Sequence, residues 1–116
     1  MIKTPPSLAW LTRMAAMLFI CAASSVHAAE VEFNLIIKDH KFIPAELKVP
    51  ASQKVKLMIE NQDGTAEEFE SHELNREKVI PPKSKLPVFI GPLSPGKYPF
   101  FGEFNQATAR GVIIAE

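Results

Sequence analysis

The feature that most limits the possible folds is a series of short segments in which apolar and polar residues alternate. Val31–Lys38, VEFNLIIK, is apolar at every second position, and Val55–Ile59 repeats the pattern. Alternation with a period of two is typical of a β-strand with one buried face. Eight prolines are spread over residues 29–116, so long helices are not expected. The sequence predicts an all-β fold, a Greek-key antiparallel β-sandwich of about seven strands.

Between these two segments and after them, turn residues separate the other predicted strands, which are Phe42–Ile43, Glu46–Val49, Leu86–Ile90, Lys97–Phe101 and Gly111–Ala115. The interval from Ala51 to Ile80 contains no proline. Within it we expect no more than a turn or two of helix, around Glu73–Lys78.

The first 28 residues are predicted to be a secretory signal peptide. Lys3 and Arg13 flank a basic N-terminal region, residues 14–23 are apolar, and small residues at Val26 and Ala28 form an Ala-x-Ala-like end. The apolar run is too short for a bilayer span, which takes about 20 residues. The alternative is a buried N-terminal helix. We expect residues 29–116 to be one periplasmic domain.

The composition of residues 29–116 excludes several kinds of site. These 88 residues contain 11 basic and 13 acidic side chains, a net charge of about −2, which gives no electrostatic reason to expect nucleic-acid binding. The single cysteine, Cys21, lies in the predicted signal peptide. The domain is therefore expected to have neither a disulfide nor a thiolate ligand, and no cysteine nucleophile.

The segment Asn61–Ile80, NQDGTAEEFESHELNREKVI, carries five of the thirteen acidic residues within eleven positions, and also His72. In an extended chain Glu67 shares a face with Phe69, whereas Glu68, Glu70 and His72 share the other face. If Phe69 is in the core, Glu67 points to the end of the sandwich. A second loop, residues 100–111, is the candidate for the segment that the fold brings beside this one.

Three alternatives remain open for this segment. The acidic residues can form a solvated face with no site. Glu67 can instead pair with Arg76 or Arg110 in a structural salt bridge. His72 can be a surface histidine bonded to the backbone.

The order of the segments resembles that of a cupredoxin-like domain. The resemblance rests on the run from Phe42 to Ala51, the turn from Asn61 onward, LSPGKYPFF at residues 93–101 and GVII at residues 111–114. Within that superfamily, Glu67–Val79 is similar to the bacterial EfeO-type group, periplasmic proteins that accompany Ftr-type high-affinity iron permeases.

The resemblance also implies where a blue-copper site would lie. Its ligands would be a His after the third strand, then Cys, His and often Met before the last strand. In this sequence those positions hold Glu67, Gly102, Asn105 and the region Ala107–Ala109. Thiolate ligation produces a blue-copper centre, so none is expected here.

The sequence and the resemblance together predict a carboxylate metal site, with Glu67 and Glu103 as the first ligands and Glu68 and His72 as the second. The predicted ion is copper or iron. The predicted role is in iron uptake beside an Ftr-type permease or another periplasmic iron-uptake component, as an iron carrier or as an electron acceptor from Fe(II). The alternative is a metal-free scaffold that binds a protein partner, with a patch around Phe104. A copper chaperone is disfavoured because Met and Cys clusters are absent from the sequence.

Overall fold

Nine β-strands account for most of residues 30–116, the part of the chain that the computed structural model describes. They are β1 (Val31–Lys38), β2 (Lys41–Ile43), β3 (Glu46–Val49), β4 (Val55–Asn61), β5 (Glu67–Ser71), β6 (Arg76–Ile80), β7 (Lys85–Ile90), β8 (Gly96–Gly102) and β9 (Arg110–Ala115), with one 3₁₀ turn at Glu103–Asn105. The predicted signal peptide lies outside the described residues. Within residues 30–116, no helix is long and apolar enough to cross a membrane.

The strands form two sheets, one with the order β2-β1-β4-β7 and the other with the order β3-β9-β8-β5-β6. The predicted β-sandwich is confirmed, and it has two strands more than the seven expected. Most neighbouring strands are antiparallel, but β1 pairs with β4 and β3 with β9 in parallel. Alternation along one strand reports which face is buried and carries no information on the direction of its neighbour.

Three aromatic rings join the two sheets at the centre of the core. Phe42 on β2 meets Phe100 on β8 edge-to-face at 4.9 Å between ring centroids, and Phe69 on β5 lies 5.1 Å from Phe100. All three are buried, and such ring pairs add to the stabilisation that burial gives. Phe69 fixes the inward face of β5, so Glu67, two residues earlier, also points inward at the end of the core.

No helix forms around Glu73–Lys78, where the sequence allows a turn or two at most, because β5 and β6 form a hairpin there. Residues 72–75 are its turn, and Asn75 has the left-handed φ of 51° that such a turn requires. The pairing sets Glu70 opposite Glu77. Because directly opposed residues project from the same face of a sheet, the hairpin adds a carboxylate to the outward face of β5.

Asn61 fastens the other end of the hairpin. Its buried side-chain amide donates to the carbonyls of Thr65 (2.9 Å) and Ile80 (3.0 Å), and its oxygen accepts from the Asp63 N–H (3.0 Å). The start of β5 is thereby fixed against the end of β6.

Replacing Ser71 by alanine is expected to lower the free energy of unfolding by about 1–2 kcal/mol. The buried Ser71 hydroxyl donates to the Pro99 carbonyl (2.7 Å) and accepts from the Leu74 N–H (3.2 Å), so the change leaves both groups unpaired. The matched control is Ser84→Ala, whose hydroxyl donates to the Pro82 carbonyl in an exposed loop. Urea denaturation measures both, and equal losses would contradict a role for Ser71 in holding the hairpin turn.

Candidate metal centre

The carboxylate of Glu67 is the centre of a hydrogen-bonded pocket on the inner side of β5. Its Oε1 accepts from the Phe104 N–H (3.0 Å) and the Glu68 N–H (3.1 Å), and its Oε2 accepts from the Asn105 side-chain amide. Glu67 is only 1 % exposed. The alternative of a salt bridge to arginine is wrong, because Arg76 donates to the Phe89 carbonyl and Arg110 to the Gln106 carbonyl.

Gly102 closes this pocket from β8. A Cβ atom at that position would lie 2.6 Å from Glu67 Oε1 and 2.7 Å from the Cβ of Ala109. The φ of Gly102 is −96°, which any residue adopts, so glycine is needed here for space alone. We call Glu67, Gly102, Asn105 and Ala109 the inner pocket.

The inner pocket does not fit a blue-copper ion. The resemblance implies that the copper ligands of a cupredoxin would occupy these positions, which here hold a carboxylate, no side chain, an amide and a methyl group. Neither thiolate nor imidazole is present among them, and the Glu67 carboxylate fills the space next to Gly102.

Four carboxylates meet on the outer side of β5. Each of Glu68, Glu70, Glu77 and Glu103 offers one oxygen, and these oxygens all lie within 4.8 Å of one another. We call these four residues the outer carboxylate cluster. It contains two of the predicted ligands, Glu68 and Glu103, and it does not include Glu67 or His72.

Strand pairing explains why these side chains converge. Glu70 is opposite Glu77 on β6. On the other side, Phe69 is opposite Gly102 on β8, and the same register continued by one residue sets Glu103 opposite Glu68. Glu70 and Glu77 were not predicted as ligands because their convergence depends on the β5–β6 hairpin, which was not expected.

Glu68 is the unusual member of the outer carboxylate cluster. It is 4 % exposed, and its Oε1 is buried with no hydrogen-bond partner among the described residues. A buried charged or polar oxygen without a partner is costly. When Glu68 carries a proton, that proton can be shared in hydrogen bonds with Glu103 and Glu77, and these bonds, together with burial and the charges of both neighbours, raise the pKa of Glu68 to about 8.

The neighbours of Glu68 give it no positive partner. Glu70 is half-buried, and Glu77 and Glu103 are exposed. Burial and the charges of Glu103 and Glu77 raise the pKa of Glu70 overall, although the charge of His72 acts in the opposite direction. Within residues 30–116 no salt bridge reaches any of the four. This arrangement therefore needs a proton or a cation to balance its charge.

The spacing suits a single hard cation. Metal–oxygen bonds of about 2.0–2.6 Å place two oxygens on opposite sides of one ion about 4–5 Å apart. All the oxygens of the outer carboxylate cluster lie within 4.8 Å of one another, a limit that is compatible with this spacing. An all-oxygen set of donors favours hard ions over soft ones.

His72 lies beside the outer carboxylate cluster without joining it. Its ring is 5.6 Å from that of Phe101, with an interplanar angle of 45°. With Glu70, Arg76 and Glu77, it lines an open depression on the surface. His72 is therefore placed to contact a bound species at the edge of the cluster.

Comparison with known proteins agrees with this architecture. Residues 11–115 match the family described as cupredoxin-like domain. The uncharacterized protein RP394 of Rickettsia prowazekii (strain Madrid E) is 51 % identical over 84 residues, which cover 72 % of this chain and 67 % of that protein.

Two solved structures of low sequence identity share the fold. Auracyanin A, a blue copper protein from Chloroflexus aurantiacus, superposes with a TM-score of 0.66 at 13 % identity, over 76 % of this chain and 100 % of its own. Amicyanin from Paracoccus versutus gives 0.57 at 17 % identity, over 79 % and 86 % respectively. The family match, together with the two-sheet sandwich, establishes that this chain belongs to the cupredoxin-like domain family.

Proposed function

We propose that this protein binds a hard metal ion through Glu68, Glu70, Glu77 and Glu103, and that it carries Fe(III) in the periplasm. The observation that carries the proposal is the buried, unpartnered Oε1 of Glu68, which lies among three other carboxylates. A cation at this place would satisfy that oxygen and offset the repulsion among the four groups.

A bound cation accounts for the arrangement better than a solvated acidic face does. Glu70 and Glu77 are directly opposed across two strands, and like charges in such positions destabilise a sheet. A solvated face would let these side chains turn apart into water. Here the oxygens converge, and one of them is buried.

Among the metals considered, Fe(III) suits the donors best. The cluster consists of four carboxylates and offers no sulfur, so it favours an oxidised, hard ion. An electron acceptor would need a firmly held redox metal, and the inner pocket does not fit the blue-copper ion that the family resemblance implies. We therefore propose an iron carrier in preference to an electron acceptor.

The proposed location and partner come from the sequence. The N-terminal 28 residues have the pattern of a signal peptide. The stretch Glu67–Val79 is similar to the EfeO-type group, whose members accompany Ftr-type iron permeases. It also contains three of the four residues of the outer carboxylate cluster. We propose that iron held there is passed to such a permease.

Metal binding is tested by calorimetric titration of the purified protein with Fe(III) kept soluble by a weak chelator, and with Cu(II) and Ca(II) for comparison. We expect one Fe(III) site per chain, and at least tenfold weaker binding in Glu77→Gln. Glu32→Gln, which removes an exposed carboxylate from β1 in the other sheet, should bind like wild type. Absence of binding, or equal loss in both variants, would contradict the proposal and favour a metal-free scaffold.

The role in uptake is tested in cells that lack this protein but retain the permease. Radioactive iron uptake under iron limitation should be restored by the wild-type gene and by Glu32→Gln, but not by Glu77→Gln. Full restoration by Glu77→Gln would separate the metal site from iron uptake.

A further inference from the structure

We infer that Glu67 is a positioning residue for the metal site: from the inner side of β5, it holds the turn that presents Glu103 to Glu68. The inference rests on the proposed metal-binding function. It gives a role to a buried glutamate that the outer carboxylate cluster does not include.

The first step is the position of Glu67 in the strand. Glu67 and Glu68 are consecutive in β5, so their side chains project from opposite faces of the sheet. Glu67 is buried in the inner pocket, and Glu68 belongs to the outer carboxylate cluster. The two sites therefore share one strand and cannot shift independently.

The second step is the segment that Glu67 holds. Its carboxylate accepts from the backbone N–H of Phe104 and from the side chain of Asn105. These are the second and third residues of the 3₁₀ turn, and Glu103 is the first. Anchoring Phe104 and Asn105 fixes the backbone from which the Glu103 side chain extends.

The third step is that Glu67 supplies the side-chain hydrogen bond to the first half of this turn, whereas the backbone just before the turn is held by the Gly102 N–H, which donates to the Ala109 carbonyl (2.8 Å). The turn contains no buried residue, and no side chain caps its beginning. The second half of the loop is held separately, because the Thr108 hydroxyl donates to the His40 carbonyl (2.6 Å) and the Ala109 N–H donates to the Asn105 carbonyl (2.8 Å). Glu67 is thus the side-chain anchor nearest to Glu103.

A carboxylate is well suited to this role. A carboxylate accepts several hydrogen bonds at once. Hydrogen bonds to an ionised acceptor are stronger than hydrogen bonds between two neutral groups. In a blue copper protein, the resemblance implies that a metal would link the corresponding two loops. Here hydrogen bonds to one carboxylate make that link, and metal binding is moved to the other face of the same strand.

The test is a double-mutant cycle with Fe(III) affinity as the readout. Glu67→Ala should weaken binding about tenfold, because Glu103 is no longer held beside Glu68. In a Glu103→Ala background, the same change should have no further effect. Glu67→Gln keeps an acceptor for the Phe104 N–H and should retain most of the affinity. If Glu67→Ala leaves affinity intact, or weakens it equally in both backgrounds, the inference is wrong.

A second readout needs no metal and separates this inference from the proposed function. In the metal-free protein, NMR titration of the Glu68 carboxyl should give a lower pKa in Glu67→Ala, as in Glu103→Ala, because Glu103 moves away from it. Asn105→Ala, which removes only one anchoring bond, should change it less. If the Glu68 pKa falls in Glu67→Ala but the wild-type protein binds no iron, only the proposed iron-binding function is rejected. An unchanged pKa in Glu67→Ala would overturn the inference.

Discussion

Glu68→Gln is expected to weaken Fe(III) binding at least a hundredfold and yet make the metal-free protein more stable at pH 8. Binding falls because the proposed ligand group that is buried in the outer carboxylate cluster loses its charge. Stability rises because a neutral amide removes the charge of a buried carboxylate that lies beside three others and whose Oε1 has no hydrogen-bond partner among residues 30–116. The opposite signs distinguish a metal site from an ordinary structural carboxylate, whose removal would be unfavourable in both measurements.

The pH dependence of stability has a definite sign. The pKa of Glu68 is raised from 4.5 to about 8 in the folded protein, so between these values the folded state binds more protons than the unfolded state. Stability therefore falls as pH rises through this window. The contribution is fully present below pH 4.5 and is lost above pH 8.

Two neighbouring effects leave this sign unchanged. The raised pKa of Glu70 acts in the same direction. Asp63 titrates below the range from pH 4.5 to pH 8. Burial raises the pKa of Asp63, but hydrogen bonds from the backbone N–H groups of His40 and Asp39 and the charges of His40 and Lys83 lower it, and the net result is a pKa below the usual 3.8. Its contribution is therefore lost only in more acidic solution.

Urea denaturation at pH 5, 6.5 and 8 in the presence of a chelator measures these differences. The wild-type midpoint should fall with increasing pH, and that of Glu68→Gln should change less and exceed it at pH 8. Glu32→Gln should follow wild type. A Glu68→Gln variant with the wild-type slope, or with lower stability at pH 8, would show that Glu68 is not the group that titrates.

The strands that face the core could be predicted from the sequence, because apolar and polar residues alternate along a strand that has one buried face. In β1 and β4, Leu35, Ile37, Leu57 and Ile59 are fully buried, and the predicted strands occupy the observed positions. β6 could not be found in this way. It is an edge strand in which only Ile80 is buried, so its sequence, REKVI, has no apolar face to detect.

The site was predictable to the extent that it depends on one strand. Side chains alternate between the two faces of β5, so the sequence predicts that Glu67 projects from one face and Glu68 and Glu70 from the other. The structure shows the same arrangement. The partners of Glu68 depend on register with two other strands, which alternation does not specify. For this reason the sequence predicts neither that Glu77 lies beside Glu68 nor that Glu67 accepts hydrogen bonds from the turn after β8.

Gly102→Ala is expected to lower the free energy of unfolding by about 3 kcal/mol, since overpacking a closed site typically costs about 1–3 kcal/mol. The new methyl group would lie 2.6 Å from Glu67 Oε1 and 2.7 Å from the Ala109 Cβ. To make room, Glu67 must leave its hydrogen bonds to the turn. Iron affinity should fall as well, through the displacement of Glu103.

Gly64→Ala is the matched control, because nothing lies within 4 Å of a Cβ atom at that position. Its stability should stay within about 0.5 kcal/mol of wild type. The double variant Gly102→Ala/Glu67→Ala should lose at least about 1 kcal/mol less free energy of unfolding than the sum of the two single losses, because Glu67→Ala removes the carboxylate with which the new methyl group clashes. Equal stability of Gly102→Ala and Gly64→Ala would mean that the inner pocket has room for another group. A pocket that tolerates the added methyl group has room for a ligand at that position, and the Glu67 carboxylate would then not take the place of a metal there.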